Sequence, residues 1–221
     1  TLPIGSPVKC KGGTSGSISL TVTGGTPGYE ITLTGASGNV FTESSSQGII
    51  VVKNLPADTY DLQVTDKNGC QLSAPITGVV VKEPENSFEI QDPVYSQEIE
   101  CFGEAAKLTL TATGGWSVEK DIHVTGSHGV DITQPSGSEF ELLGGTYLVS
   151  ATNEDGCVDD RTIIVGQPDS LKITATRTNF TCSDSEDAEI VITVAENAGV
   201  PDYSYGLGGL GSGAENPFTG N

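Results

Sequence analysis

The residues whose spacing carries the clearest chemistry in this sequence are its five cysteines: Cys10, Cys70, Cys101, Cys157 and Cys182. No two of them form a Cys-x-x-Cys pair, and no histidine stands nearby as a zinc ligand would. Cysteines without such partners are typical of a disulfide framework. Because disulfides persist in oxidising compartments, the pattern predicts an exported protein.

A second candidate chemistry is calcium binding by acidic turns. Residues 66–69 (Asp-Lys-Asn-Gly) begin like a calcium loop, although no glutamate follows at the spacing of its bidentate ligand. A tight hairpin turn explains the Asn-Gly pair equally well, and no other cofactor is predicted. The calcium candidates are Asp66, Asn68, Asp155 and Asp184.

Catalysis is not predicted. His123 and His128 are the two histidines, and nothing in the sequence pairs either of them with a nucleophile. No Gly-x-Ser-x-Gly motif occurs. The glycine-rich residues 206–211 lack the strand-then-helix setting of a dinucleotide loop. The sequence therefore indicates a protein that is not an enzyme.

The elements that position the cysteines are repeated. Residues 54–70 (NLPADTYDLQVTDKNGC) align without a gap with residues 141–157 (ELLGGTYLVSATNEDGC). Cys10, Cys101 and Cys182 each precede a Thr- and Val-rich or Ile-rich segment, and they recur at intervals of about 80–90 residues. That period is the size of a small autonomous domain and is too long for a solenoid turn.

Strand patterns dominate each repeat. Ile18, Leu20 and Val22 alternate with polar residues, as in a strand with one buried face. Turn-forming Gly-Gly and Asn-Gly pairs separate such segments at the intervals expected of an all-β sandwich. We predict tandem immunoglobulin-like β-sandwich modules, each closed by one disulfide. The strands predicted in the first module lie near residues 2–8, 17–23, 29–34, 48–53, 59–65 and 76–82.

The repeats predict domains at residues 1–84 and 85–168, and the start of an incomplete third repeat at 169–221. Within this scheme Cys10 would bond to Cys70, and Cys101 to Cys157. A disulfide that closes a loop of this size would stabilise a small domain by roughly 4 kcal/mol. Cys182 would find its partner beyond the last residue, the alternative being a free thiol.

Linked motifs in order give the chain a family resemblance. It resembles the SprB repeat of giant cell-surface adhesins of gliding Bacteroidetes. The second copy departs at Trp116 and at residues 143–145, which affects loop shape and not the fold. The matching motifs of the first copy are Cys10-x-Gly12, residues 23–29 (TGGTPGY), residues 54–60 (NLPADTY) and residues 65–70 (TDKNGC).

The resemblance implies a segment of a long extracellular filament at the cell surface. In that family the filament leaves the cell through the type IX secretion system and is carried along the surface by the gliding machinery. The partners it implies are neighbouring repeats of the same protein, the gliding or secretion machinery and surface polysaccharide.

Charge argues against two other classes of partner. The formal net charge is −19 and the isoelectric point is near 4.1. Such a surface repels nucleic acid phosphates and anionic membranes. No apolar run reaches the length of about 18 residues that a membrane span needs. Neither nucleic acid binding nor direct membrane insertion is predicted.

Two functions fit these features. The first is a structural stalk of disulfide-bonded sandwiches in an adhesin, and the second is a carbohydrate- or calcium-binding module. A ligand-binding module should repeat one surface cluster in every copy, yet Asp58 aligns with Gly145 and Asp61 with Leu148. Core, turn and cysteine positions are what recur. This favours the stalk.

Overall fold

A computed structural model describes residues 2–177 and 190–195 of the chain. The fold is all-β, and every strand pairing among these residues is antiparallel. In the described part, the helical element is one 3₁₀ turn at Ser127–Gly129. No helix among the described residues is long and apolar enough to cross a membrane.

The first seven strands form two sheets, which we call the first unit. One sheet has the order β1-β2-β5 and the other β4-β3-β6-β7. The strands are β1 (Ile4–Ser6), β2 (Gly16–Thr21), β3 (Tyr29–Gly35), β4 (Val40–Ser45), β5 (Ile49–Leu55), β6 (Asp58–Thr65) and β7 (Ile76–Val81). The six predicted strands are confirmed, and each of their ends lies within two residues of its predicted position.

The next nine strands form the second unit, whose main sheets follow the same order as those of the first. The strands are β8 (Glu89–Ile90), β9 (Val94–Gln97), β10 (Ala105–Thr109), β11 (Ala112–Thr113), β12 (Lys120–Gly126), β13 (Val130–Pro135), β14 (Glu139–Leu143), β15 (Gly145–Asn153) and β16 (Val158–Val165). The sheets are ordered β14-β10-β9 and β13-β12-β15-β16, with β8 paired to β11.

Sequence reasoning missed β4. Most of its residues are exposed, because it is an edge strand that covers little of the core. A strand without an alternating apolar face gives no period-two signal. Its register against β3 in the structure, for example Thr42 opposite Thr32, shows that pairing and not burial defines it.

Each unit has its own hydrophobic core, formed by residues that alternate along the strands. Ile31 and Leu33 of β3 are fully buried, as are their counterparts Ile122 and Val124 of β12. The two cores share no residue. The domain bounds 1–84, 85–168 and 169–221 stay a prediction, although the separation of the cores is compatible with the first two.

Two further strands follow the second unit: β17 (Ile173–Arg177) and β18 (Ile190–Val194). They pair with Ile173 opposite Val194. The equivalent pair in the second unit is Ile90 opposite Ala112, where β8 meets β11. The segment that follows the second unit therefore starts with a strand pair equivalent to the β8–β11 pair of the second unit.

Candidate functional site: the joint between the two units

A disulfide joins the two units. Cys10 of the first unit is bonded to Cys157 of the second, with their Cα atoms 5.6 Å apart. Cys70 and Cys101 are free and exposed. The predicted pairs Cys10–Cys70 and Cys101–Cys157 are therefore wrong, as is the prediction that each module is closed by its own bond.

The length of β6 explains the first error. Val8 bonds to Lys82, which follows the residue paired with Asp58, so Cys10 lies at the Asp58 end of β6. Cys70 bonds to Asp66 at the other end. The eight residues of β6 separate the two cysteines by roughly 25 Å, whereas a disulfide requires Cα atoms within about 7 Å.

The second unit repeats this geometry along β15. Gly103, two positions after Cys101, donates its backbone N–H to the side chain of Gln167 near the Gly145 end of the strand. Cys157 bonds to Asn153 at the opposite end. Each unit thus carries one cysteine at each end. The end of the first unit that holds Cys10 faces the end of the second that holds Cys157.

Trp116 adds a hydrogen bond across the same joint. Its indole Nε1–H donates to the backbone oxygen of Val8 over 2.8 Å. The Cys157 sulfur also lies 3.5 Å from the backbone oxygen of Lys9. Trp116 stands where the first copy has a Thr-Pro pair. The residue that departs from the repeat therefore makes a contact between the units.

The segment between the units, residues 82–88, is held on both sides. On the first unit, the Glu83 carboxylate accepts the backbone N–H of Gly12 over 2.7 Å. The Lys11 ammonium group donates to the backbone oxygen of Glu85. On the second unit, the backbone N–H of Gly115 donates to the oxygen of Asn86.

Gly114 allows this segment to approach the second unit closely. Its φ is +82°, and a Cβ atom at this position would overlap the backbone oxygen of Ser87. Any side chain there would therefore push the connecting segment away. The equivalent Gly24 of the first unit also has a positive φ, but it has open space around it.

The described calcium candidates either bond to backbone groups of a turn or lie away from other metal-ligating side chains. The Asp66 carboxylate accepts backbone N–H groups from Thr26, Asn68 and Cys70. These bonds, those from Thr26 and Cys70 above all, hold the pKa of Asp66 below its ordinary value. Its oxygens are thus directed at the backbone of the hairpin that the Asn-Gly pair predicts and at the neighbouring turn at Thr26.

Asp155 has one buried carboxylate oxygen without a hydrogen-bond partner. Within residues 2–177 and 190–195, however, no three Asp, Glu, His or Cys side chains converge as metal ligands would. Asp184 and Cys182 lie outside the described residues. Calcium binding stays a prediction that the described geometry does not favour.

The two histidines make separate contacts within the second unit. His123 Nε2 is 2.8 Å from an oxygen of the exposed Asp131. His128 Nε2 is 2.9 Å from the backbone oxygen of Gly144. Neither contact includes a serine or cysteine nucleophile.

Each unit also contains a tyrosine corner that sequence reasoning missed. The hydroxyl of the buried Tyr60 donates to the backbone oxygen of Pro56, and that of Tyr147 to Leu143. Burial raises the pKa of both phenols. The motif is a hallmark of immunoglobulin-like sandwiches. The aligned tyrosines were its only signal, because a backbone acceptor leaves no trace in side-chain identity.

The part of the joint that belongs to the first unit lies within the region with a family match. The SprB repeat model matches residues 5–38, which include Cys10 and the turn at Gly24. Among curated proteins, none matches this chain.

Three solved structures give the following similarities. The C-terminal 282-residue fragment of intimin, in complex with the intimin-binding domain of its translocated receptor, is 14% identical, with a TM-score of 0.43 over 79% of this chain. The chain spans 66% of that fragment. The FN1–FN3 domains of chicken CNTN1 are 10% identical, with a TM-score of 0.34 over 75% of this chain and 66% of theirs. A tetra-tandem repeat from the extending region of a large adhesion protein is 14% identical, with a TM-score of 0.25 over 89% of this chain and 63% of its own.

Proposed function

We propose that this chain is a structural segment of a long extracellular surface adhesin, a filament for attachment to surfaces and for gliding motility. The observation that carries the proposal is the covalent joint between two β-sandwich units, Cys10 to Cys157, in a chain whose residues 5–38 match the SprB repeat. A bond of this kind serves to hold units in series.

The joint supports a stalk because it restricts the angle between units. Without the disulfide and the Trp116 bond, the connecting segment would be the main link between the units, and domains with small interfaces move relative to each other. With both contacts, the second unit is fixed to the first at two places besides the connecting chain. A filament of such units would keep its reach and transmit force.

The disulfide and the net charge support the proposed location and partners. A disulfide between units persists in an oxidising compartment, which supports a location outside the cell. The net charge of −19 makes nucleic acid and anionic membranes poor partners. We propose neighbouring repeats, the type IX secretion and gliding machinery and surface polysaccharide as the partners.

A ligand-binding role has one observation in its favour, which is a pair of surface recesses at equivalent ends of the units. The recess of about 470 Å³ in the first unit is lined by residues that include Tyr29, Glu30 and Lys67. The recess of about 590 Å³ in the second is lined by Lys120, Asp121 and Glu154 among others.

The chemistry of these recesses differs between the units. At the position of the aromatic Tyr29 the second unit has the cation Lys120, and at Lys67 it has the anion Glu154. Sites that bind one ligand repeatedly would keep the same groups. The difference supports the stalk over a repeated carbohydrate site.

The test uses the cells that make this protein. Antibodies raised against the chain should label intact cells, and their Fab fragments should reduce both adhesion to glass and movement on it. Fab fragments of a non-binding antibody serve as the control. Labelling that appears only after lysis would contradict the surface location, and normal adhesion with saturated labelling would contradict the attachment role.

A further inference from the structure

The two free cysteines occupy the same places as the two bonded ones. Cys101 aligns with Cys10, and Cys70 aligns with Cys157. Both free cysteines are exposed, Cys70 at the outer end of the first unit and Cys101 at the outer end of the second. The bonded cysteines lie at the inner ends.

The turn at Cys101 is built like the turn at Cys10. In the first unit the oxygen of Cys10 accepts the N–H of Gly13, and the N–H of Gly12 donates to Glu83. In the second unit the oxygen of Cys101 accepts the N–H of Glu104, and the N–H of Gly103 donates to Gln167. Glu83 and Gln167 each precede a proline at the end of their unit. Cys101 therefore lies beside the start of the next connecting segment, as Cys10 lies beside the start of the first.

The turn at Cys70 is built like the turn at Cys157. Asp66 accepts the N–H of Cys70 over 2.9 Å with its side chain and donates its own N–H to the oxygen of Cys70. Asn153 makes both bonds with Cys157, the first again at 2.9 Å. The side chains of the free Cys70 and the bonded Cys157 thus extend from equivalent turns.

The chain beyond the second unit continues in the same register. Ile173 of β17 pairs with Val194 of β18 as Ile90 pairs with Ala112 in the second unit. The strand that begins the next unit follows Gln167, whose side chain accepts the N–H of Gly103 at the end of the second unit where Cys101 is exposed.

From these equivalences we infer that Cys101 forms a disulfide with the closing cysteine of the repeat that follows. Cys70 forms one with the leading cysteine of a repeat that precedes the first unit. The partner in each case is another repeat of this kind, and the Cys10–Cys157 bond is one member of a series. Each bond joins two thiols, whose two electrons and two protons pass to a disulfide oxidant such as oxidised glutathione.

The bonds of this series overlap along the chain. Cys101, where the next bond begins, lies between Cys10 and Cys157 in the chain, so the next bond starts inside the loop that the Cys10–Cys157 bond closes. Each connecting segment between units is consequently bridged by a disulfide, and a single backbone cut in such a segment does not separate the filament. The inference rests on the repeat geometry and not on the proposed role in attachment.

A fusion protein tests the inference. Residues 1–173 are followed directly by the complete 221-residue chain, which places Pro3 of the second copy where Pro93 follows Ile90 in the natural joint. The first unit of the second copy then takes the place of the following repeat. The protein is oxidised in a glutathione redox buffer, and its disulfides are mapped by mass spectrometry without reduction.

We expect a bond between Cys101 of the first copy and Cys70 of the second, together with Cys10–Cys157 in each copy. The variant with C101S in the first copy should leave Cys70 of the second copy open to alkylation, while both Cys10–Cys157 bonds remain. Those two bonds report correct folding in the same molecule.

Three outcomes would overturn the inference. The first is free Cys101 and Cys70 at this junction while both Cys10–Cys157 bonds are present. The second is absence of the Cys10–Cys157 bonds, which removes the template. The third is equal alkylation of Cys70 with and without C101S. None of these outcomes bears on surface labelling of cells, so failure here is distinguishable from failure of the proposed function.

Discussion

The indole N–H of Trp116 and the backbone oxygen of Val8 are 2.8 Å apart, although 108 positions separate the two residues in the chain. This bond spans the joint beside the Cys10–Cys157 disulfide. Because Trp116 is the single tryptophan of the sequence, its fluorescence reports on the joint alone.

Loss of the disulfide should expose this tryptophan. In C10S the joint opens more often, since only hydrogen bonds and the connecting segment hold it. We expect Trp116, which is 45% exposed, to show a red-shifted emission and stronger quenching by acrylamide. The matched control C70S removes a free cysteine at the far end of the first unit and should leave both signals unchanged. An unchanged signal in C10S would mean that the hydrogen bonds alone hold the joint.

The disulfide should also limit extension under force. Cys10 and Cys157 are 147 positions apart, and the segment between them is bypassed when the chain is pulled from its ends. At about 3.5 Å per residue, the oxidised chain should extend about 500 Å less than the reduced chain. Single-molecule force spectroscopy with and without a thiol reductant measures this difference. Equal contour lengths would refute the Cys10–Cys157 pairing.

Gly114→Ala should destabilise the chain more than Gly24→Ala. Both glycines have a positive φ, so each substitution costs about 1–2 kcal/mol of backbone strain. Only at Gly114 would the new methyl group overlap the backbone of Ser87, which adds about 1–3 kcal/mol. Urea unfolding of the two variants gives the comparison. A larger effect at Gly24 would contradict the close approach of the connecting segment.

Removal of either tyrosine hydroxyl should weaken its own unit. Tyr60→Phe and Tyr147→Phe each delete one hydrogen bond to a backbone oxygen, for which we expect a loss of about 1 kcal/mol in the free energy of unfolding. Tyr95→Phe, at an exposed position, is the control and should change stability little. Equal effects at all three positions would argue against a structural role for the corner.

Acid should destabilise the first unit through Asp66. Its pKa is lowered in the folded chain by backbone N–H donors, so folding favours the ionised form. The stability this supplies is present above the pKa of about 4 of the unfolded chain and is lost as pH falls through the lower folded value. Asp66→Asn should flatten this part of the pH profile of thermal unfolding. An unchanged pH profile in Asp66→Asn would contradict this role of the backbone donors.

Local patterns in the sequence determined most of the fold. Strands such as β2 and β6 were predicted because alternating apolar residues must face a core, and period-two burial is written directly in residue order. The hairpin before Cys70 was predicted because Asn-Gly favours a tight turn, and Gly69 indeed has a positive φ. The edge strand β4 was missed because it buries almost nothing.

The sequence by itself determined that the cysteines recur and that each stands beside a defined turn. Only the tertiary structure decided which of them bond. A strand of eight or nine residues places its two ends roughly 25–30 Å apart, so cysteines of one repeat cannot meet, whereas Cys10 and Cys157 of successive units can. Order along the chain does not reveal which cysteines meet, because that depends on which ends of successive units face each other.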